Sequence, residues 1–191
     1  MFRLDNILEE WAAIYRPLSH DPAEKSSRRT FFRISMIDAQ SYFVRNFPTQ
    51  PSPCMAYATH VDAEMEHNPK FINYRHVIYF LCKQVNAPQK NDVTDEMAAT
   101  DARYDTDDLV QDLLVFLSTM QTAANNGQTA ITVKGHSFPI TSDIRQGLRG
   151  LKLGEAHWGT LPTMFNGWQI CGLTLEQSVP RLLCVNEERY I

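Results

Sequence analysis

Apolar residues recur at steps of three and four between Asp105 and Asn125, and this is the clearest pattern in the chain. The spacing predicts a helix with one wide apolar face, formed by Leu109, Val110, Leu113, Leu114, Phe116, Leu117 and Met120. Its predicted start is acidic, which suits the positive end of a helix dipole, with Asp105, Asp107, Asp108 and Asp112. Its predicted end is Asn125–Asn126–Gly127, because these residues tolerate a left-handed turn. A face this wide must be covered, so we expect this helix to pack on a sheet.

A second helix is predicted over Leu4–Tyr15, where five apolar residues share one face: Leu4, Ile7, Leu8, Trp11 and Ile14. Pro17 and the run Ser19–Pro22 are expected to end it. The basic stretch Lys25–Arg29 follows, and we interpret it as a solvated connection rather than a binding site.

Two neighbouring stretches have the pattern of strands. Met55–Glu66 alternates, with Met55, Tyr57, Val61, Ala63 and Met65 on one face and His60, Asp62, Glu64 and Glu66 on the other. Phe71–Lys83 is rich in aromatic and β-branched residues, and the turn-forming run His67–Lys70 separates the two stretches. We therefore expect an antiparallel hairpin. Its second strand is apolar on both faces near Val77–Cys82, which predicts a central strand with a helix on one side.

The rest of the chain gives weaker signals. Strands are predicted at Thr30–Ser35, Thr129–Lys134, Trp168–Gln177 and Pro180–Val185, and a hairpin turn at Asn166–Gly167. Ile37–Phe47 is ambiguous. Loops or mixed structure are expected at Pro48–Pro53, Asn86–Thr100 and Leu148–Phe165, and a loop or an edge segment at Phe138–Asp143, which contains Pro139.

The predicted order of elements is therefore helix, strands, long helix, strands. This order indicates an α+β fold with a largely antiparallel sheet, packed by one long central helix and an N-terminal helix. No repeat, low-complexity tract or linker divides the sequence, so residues 1–191 are predicted to form a single domain.

Composition excludes some classes of function. The chain has 191 residues, 43% hydrophobic and 21% charged, and its net charge of −4 argues against a general role in coating nucleic acid. No apolar run approaches the ~20 residues needed to span a bilayer. The N-terminal stretch carries Asp5, Glu9 and Glu10 and lacks the uncharged apolar region of a signal peptide, so we do not expect secretion by that route.

The four cysteines form no CxxC pair, and they are Cys54, Cys82, Cys171 and Cys184. Their surroundings predict reduced, mostly buried thiols rather than a disulfide framework. Cys82 and His76 lie six residues apart on one predicted strand, ~20 Å along it, and so cannot form a catalytic dyad with each other. Whether His20, His136 or His157 reaches Cys82 depends on the fold.

One strand face has residue types that could hold a metal: His60, Asp62, Glu64 and Glu66, with His67 after them. Successive same-face positions lie ~7 Å apart on an extended strand, so more than two of them cannot reach one ion without help. We therefore favour a polar surface over a metal site.

A second acidic group, Asp101, Asp105, Asp107 and Asp108, lacks the glycine and the final glutamate of a calcium loop. We interpret it as charge at the start of the long helix, without a metal.

No phosphate-binding glycine loop, dinucleotide fingerprint or nucleophile elbow is present in the sequence. We therefore predict a non-enzymatic protein with no catalytic, cofactor-binding or metal residues. Trp158, Phe165 and Trp168 flank the predicted Asn166–Gly167 hairpin and are either core residues or a protein interface.

The order of these elements resembles that of phage tail-completion proteins, also called tail terminators, and of their relatives in contractile injection systems. The matching parts are the helix LDNILEEWAAIY, the strand pair Met55–Glu66 and Phe71–Lys83, the helix Asp105–Asn125, and the late strand WQICGLTLEQ. The resemblance covers most of the chain, rests on element order and size, and assigns no role to individual residues.

The resemblance implies a small α+β protein that forms a homo-oligomeric ring at the tail end or head–tail neck and contacts other tail or neck proteins. It implies a place in the virion, or in the host cytoplasm during assembly, with no membrane and no sequence-specific nucleic acid. Contacts are then expected on the His60–Glu66 face, the Lys25–Arg33 loop and the Asn86–Thr100 connection.

Two other functions fit the sequence. The first is a small cytosolic metal-dependent hydrolase that uses His60, Asp62 and Glu64 or Glu66 with a histidine from elsewhere. The second is a monomeric adaptor that binds one partner through the Trp158–Trp168 hairpin.

Overall fold

The computed structural model describes residues 2–23, 29–34, 51–62, 71–83, 95–165 and 168–180, and within these it leaves aside the side chains of 59–62, 71, 95–105, 160–165 and 180. In chain order the elements are α1 (Leu4–Ile14), β1 (Phe31–Arg33), β2 (Cys54–Asp62), β3 (Phe71–Lys83), α2 (Asp95–Asn125), β4 (Ala130–Val133), β5 (His136–Pro139), α3 (Ser142–Gly150), a 3-10 turn (Leu153–Glu155), β6 (His157–Phe165) and β7 (Trp168–Pro180). Helices combine with a mostly antiparallel sheet, which confirms the predicted α+β class.

The main sheet has five strands in the order β1-β2-β3-β7-β6. Among the described strands of this sheet, only the β1–β2 pair is parallel. The predicted hairpin is confirmed, since β2 and β3 pair from Cys54↔Leu81 to Asp62↔Asn73. β3 lies at the centre, as its two apolar faces predicted, and pairs with β7 along its whole length. The predicted turn His67–Lys70 lies outside the described residues, as does Ile37–Phe47.

The sheet buries apolar residues on both faces, because side chains alternate along each strand. On one face Met55, Ile78 and Phe80 pack in a cluster with the helices. A second cluster on the opposite face contains Phe32, Cys54, Ala56, Leu81, Trp168 and Ile170. The first half of β2 is therefore buried on both sides.

The long helix α2 starts at Asp95, ten residues before the predicted start. The expected connection Asn86–Thr100 is thus wrong for its last six residues, where methionine and two alanines are good helix formers. The interpretation of Asp101, Asp105, Asp107 and Asp108 as charge at a helix start is wrong for the same reason: these positions lie well inside the helix.

The predicted apolar face of α2 and its predicted end are confirmed. Leu109, Val110, Leu113, Leu117 and Met120 are buried in the cluster with the sheet. The helix ends in a Schellman motif around Gly127, whose φ is 76°. The Gln128 N–H donates to the Ala123 carbonyl at 3.0 Å, and the Gly127 N–H donates to the Ala124 carbonyl at 3.3 Å.

Helix α3 was not predicted, because its glycines indicated a loop or mixed structure. The Thr141 hydroxyl caps its start and accepts from the Ile144 N–H at 3.4 Å. Its glycines Gly147 and Gly150 serve close packing. A Cβ on Gly147 would meet the Phe2 ring at 2.1 Å, and one on Gly150 would meet the Ser178 carbonyl oxygen at 2.1 Å.

The later strands partly follow the predictions. β4 and β5 form a separate two-stranded sheet, joined by Lys134 and Gly135 with positive φ. β5 is an edge strand that ends at Pro139, one of the two forms expected there. β6 replaces the second part of the predicted mixed stretch. The strand predicted at Trp168–Gln177 is confirmed as β7, which continues to Pro180. Residues 181–185 of the strand predicted at Pro180–Val185 lie outside the described part.

Candidate functional site

The His60–Glu66 face, interpreted from the sequence as a polar surface rather than a metal site, lies mostly outside the described side chains. β2 places His60 and Asp62 on its backbone, but their side chains lie outside the described ones, and Glu64, Glu66 and His67 lie outside the described residues altogether. Within the part of the chain that the structure describes, no group of three or more His, Cys, Asp or Glu side chains is placed to hold a metal ion.

Three of the four cysteines are buried thiols outside any disulfide, as predicted: Cys54, Cys82 and Cys171. Cys184 lies outside the described residues. Burial raises the pKa of the Cys54 thiol, so it stays protonated and is a poor nucleophile. The Cys171 thiol donates to the Asp107 carboxylate at 3.7 Å, which ties β7 to α2.

A polar site lies at the floor of a cleft of about 290 Å³ between the start of α1 and the sheet. Residues 2–5 form one wall, and Tyr57, Tyr74, His76, Gln177 and Val179 form the rest. The rings of Tyr57, His76 and Tyr74 stack with centroid distances of 5.9 and 6.2 Å. Clefts that combine apolar walls with a few convergent polar groups are typical of binding sites.

A chain of hydrogen bonds runs through this floor. The Gln177 Nε2 donates to the Gly147 carbonyl at 2.7 Å, which turns Gln177 Oε1 towards His76. Oε1 can only accept, so the His76 Nε2–H, at 3.0 Å, donates to it. His76 Nδ1 is then unprotonated and accepts from the Tyr57 hydroxyl at 2.8 Å. The chain therefore fixes one tautomer of a neutral histidine.

Burial lowers the pKa of His76, so this histidine is neutral at pH 7. Both of its ring nitrogens are already bound, which leaves neither one to take a proton from a substrate. The arrangement joins β2, β3, β7 and α3 into one polar cross-link. These hydrogen bonds therefore suit a structural role, in which they hold the four elements in place, better than acid–base catalysis.

An ion-pair cluster lies beside the cleft and joins α1 to β1. Arg3 and Arg33 both donate to the Asp5 carboxylate at 2.7 Å, and Arg33 also reaches Glu9 at 2.8 Å. Burial opposes ionisation of Asp5, but the hydrogen bonds from the two arginines outweigh it and lower its pKa. Arg33, expected in a contact loop, is thus held within the chain; residues 24–28 of that loop lie outside the described ones.

The aromatic residues near the predicted hairpin separate into two kinds. Trp168 is buried in the second apolar cluster and is 3% exposed, whereas Trp158 on β6 is 48% exposed. The side chain of Phe165 and the turn Asn166–Gly167 lie outside the described part. Of the two tryptophans, Trp158 is therefore the one available for an interface.

The sequence did not predict the buried, hydrogen-bonded positions of two histidines. His20 is buried and accepts two backbone hydrogen bonds, and His76 is buried in the polar chain, whereas His136 and His157 are exposed. A histidine within the apolar run of β3 is a signal for a buried polar contact, but it does not identify Gln177 as the partner.

No helix in the described ranges is both long and apolar enough to cross a membrane. Comparison with protein-family models, curated proteins and solved structures finds no match to this chain.

Proposed function

We propose that this chain is a non-enzymatic structural subunit of a phage or phage-like particle, and that copies of it form a ring at the tail end or head–tail neck. The observation that carries the proposal is the edge strand β6, which pairs only with β7 among the described strands and presents the half-exposed Trp158. A large aromatic side chain at an open sheet edge is typical of a protein interface.

The two edges of the sheet differ, which supports a ring rather than a symmetric dimer. β6 is nine residues long and antiparallel to its neighbour, whereas β1 is three residues long and parallel to β2. Contact between the β6 edge of one copy and the β1–β2 edge of the next is heterologous, and heterologous contacts close into rings when the rotation allows.

The element order also supports the proposal. An N-terminal helix, a hairpin, a long helix and late strands occur in the order that the tail-completion resemblance implies. The expected partners are further copies of the chain and other tail or neck proteins, in the virion or in the host cytoplasm during assembly. This part of the proposal rests on analogy of fold and not on a site.

The test is the native mass of the purified protein across a concentration series, with the Trp158→Ala variant beside it. We expect the unmodified chain to form a discrete multiple of 21.9 kDa. A central interface tryptophan contributes ~2 kcal/mol or more, so Trp158→Ala should raise the dissociation concentration by at least about tenfold. Val115→Ala is the matched control, because Val115 is 66% exposed but lies on α2.

Bound metal is measured on the same samples. A chain that stays monomeric at high concentration contradicts the ring. A metal-loaded monomer supports the alternative hydrolase, with His60, Asp62 and Glu64 or Glu66 as the residues to replace. Equal weakening by Trp158→Ala and Val115→Ala contradicts the assignment of β6 as the interface.

A further inference from the structure

His20 lies buried between α1 and the start of β1, and it holds that strand by an unusual contact. Its Nδ1 accepts from two backbone groups, the Thr30 N–H at 3.1 Å and the Phe31 N–H at 3.2 Å. An accepting nitrogen carries no proton, so the hydrogen of the neutral ring is on Nε2. Nε2 has no hydrogen-bond partner among the described residues and lies 3.7 Å from Glu9 Oε1.

Charged groups face this histidine from each neighbouring element. Glu9 approaches from α1, Asp21 follows His20 in the chain, and Arg29 precedes β1. Glu9 is also bound by Arg33 of β1 at 2.8 Å. Burial is the largest influence and lowers the pKa of His20, while Glu9 acts in the opposite direction. The ring is therefore neutral at pH 7.

We propose that His20 is a pH-sensitive latch on β1: a proton on Nδ1 removes the acceptor of the Thr30 and Phe31 N–H groups, and the charged ring turns to Glu9. The two states exclude each other, because Nδ1 cannot both carry a proton and accept from two donors. An N–H group left without an acceptor in a buried place is unfavourable, so β1 loosens at this end.

The rest of β1 stays attached when the latch opens. The Met55 N–H still donates to the Thr30 carbonyl at 2.7 Å, and the Ile34 N–H to the Tyr57 carbonyl at 2.9 Å. Phe31 and Phe32 remain packed on the two faces of the sheet. The change is thus local, and it stands whether or not the chain assembles into a ring.

The direction of the pH dependence of the latch follows from the pKa values of His20 and Glu9. The pKa of His20 lies below its ordinary value of 6.5, so the latch is closed above pH 6.5 and opens as the pH falls through the lowered pKa. The pKa of Glu9 is held below 4.5, chiefly by the hydrogen bond from Arg33. Glu9 is therefore still anionic where His20 begins to take up its proton, and can receive the charged ring.

The experiment follows amide hydrogen exchange by NMR from pH 8 downward until the His20 ring nitrogens have titrated, and corrects the rates for the intrinsic pH dependence of exchange. We expect the protection of the Thr30 and Phe31 amides to fall at least tenfold as His20 titrates. The amides of Ile78 and Leu173, in the centre of the sheet, should lose protection by a smaller factor, set by the fall in global stability alone.

His20→Asn is the matched control, because its Oδ1 takes the place of Nδ1 as an acceptor but does not titrate in this range. It should protect both amides throughout. Glu9→Gln removes the anion and should move the opening of the latch to lower pH. The proposal is overturned if Thr30 and Phe31 stay protected while His20 titrates, or if His20→Asn loses protection as the unmodified chain does. A loss of protection by the same factor at Ile78 and Leu173 also overturns it, since that is global unfolding.

Discussion

At the scale of single residues, Gln177 connects three parts of the fold through one amide group. Its oxygen accepts from His76 on β3, and its nitrogen donates to the Gly147 carbonyl on α3. Gln177 is 2% exposed, so water cannot replace either bond without a rearrangement. Both bonds must be made within the protein.

Replacing Gln177 by leucine keeps the approximate volume but leaves the His76 Nε2–H and the Gly147 carbonyl without partners. Each buried polar group left unpaired costs roughly 1–3 kcal/mol, so we expect the free energy of unfolding to fall by about 2–4 kcal/mol. Urea denaturation followed by circular dichroism measures this. Glu176→Gln, at the neighbouring exposed position, is the control and should change stability by less than about 1 kcal/mol. Equal losses in both variants contradict the role given to Gln177.

At the scale of elements, α3 lies unusually close to β7. Gly150 faces the Ser178 carbonyl, and the Leu148 and Leu151 carbonyls at the end of the helix both accept from Gln121 Nε2 at 2.7 Å. Arg145 binds the Gly127 and Gln128 carbonyls beyond the end of α2. The position of α3 is therefore set by contacts with two other elements.

Gly150→Ala tests this close approach. Its Cβ would lie 2.1 Å from a backbone oxygen, which cannot move aside as a side chain can. We expect the helix to shift away from β7, with a loss of about 1–3 kcal/mol in the free energy of unfolding. Gly154→Ala is the control, since a Cβ there meets nothing within 4 Å. If both variants unfold at the same urea concentration, α3 does not pack on β7 in this way.

At the scale of the whole molecule, four buried or paired groups make stability depend on pH in one direction. The pKa values of His20 and His76 are lowered by burial. The pKa values of Asp5 and Glu9 are lowered by hydrogen bonds from arginines. Burial acts in the opposite direction on both groups. It is the largest single influence on Asp5, but the arginines together outweigh it. In each case the unfolded chain binds protons more readily than the folded one, so acid favours unfolding.

We expect stability to fall in two stages as the pH is lowered. The contribution of the two neutral histidines is complete above pH 6.5 and is lost below it. The contribution of the carboxylates is complete above the ordinary values of 4.5 for Glu9 and 3.8 for Asp5, and is lost as the pH falls through their lowered pKa values. Urea midpoints at pH 7.5, 5.5, 4.5 and 3 measure this. A midpoint that is constant from pH 7.5 to 5.5 contradicts the burial of the two histidines as neutral groups.

The sequence by itself determined the parts of this protein that depend on local periodicity. The alternation in Met55–Glu66 and the apolar run in Phe71–Lys83 predicted the β2–β3 hairpin and the central place of β3. The three- and four-residue spacing after Leu109 predicted the buried face of α2, and Gly127 predicted its end. Each of these signals lies within a few residues of the feature that it specifies, so it can be recognised without knowledge of the fold.

The tertiary structure alone decided the features that join distant residues. Gln177 and His76 are 101 positions apart, and nothing in either neighbourhood identifies the other as its partner. Gly147 and Gly150 resemble breaks in a helix until Phe2 and Ser178 are placed against them. In the sequence His20 resembles an ordinary loop residue, and only the fold brings the N–H groups at the start of β1 to its ring. The physical reason is common to all three, since a buried polar bond or a close backbone contact depends on two chain segments whose proximity only folding creates.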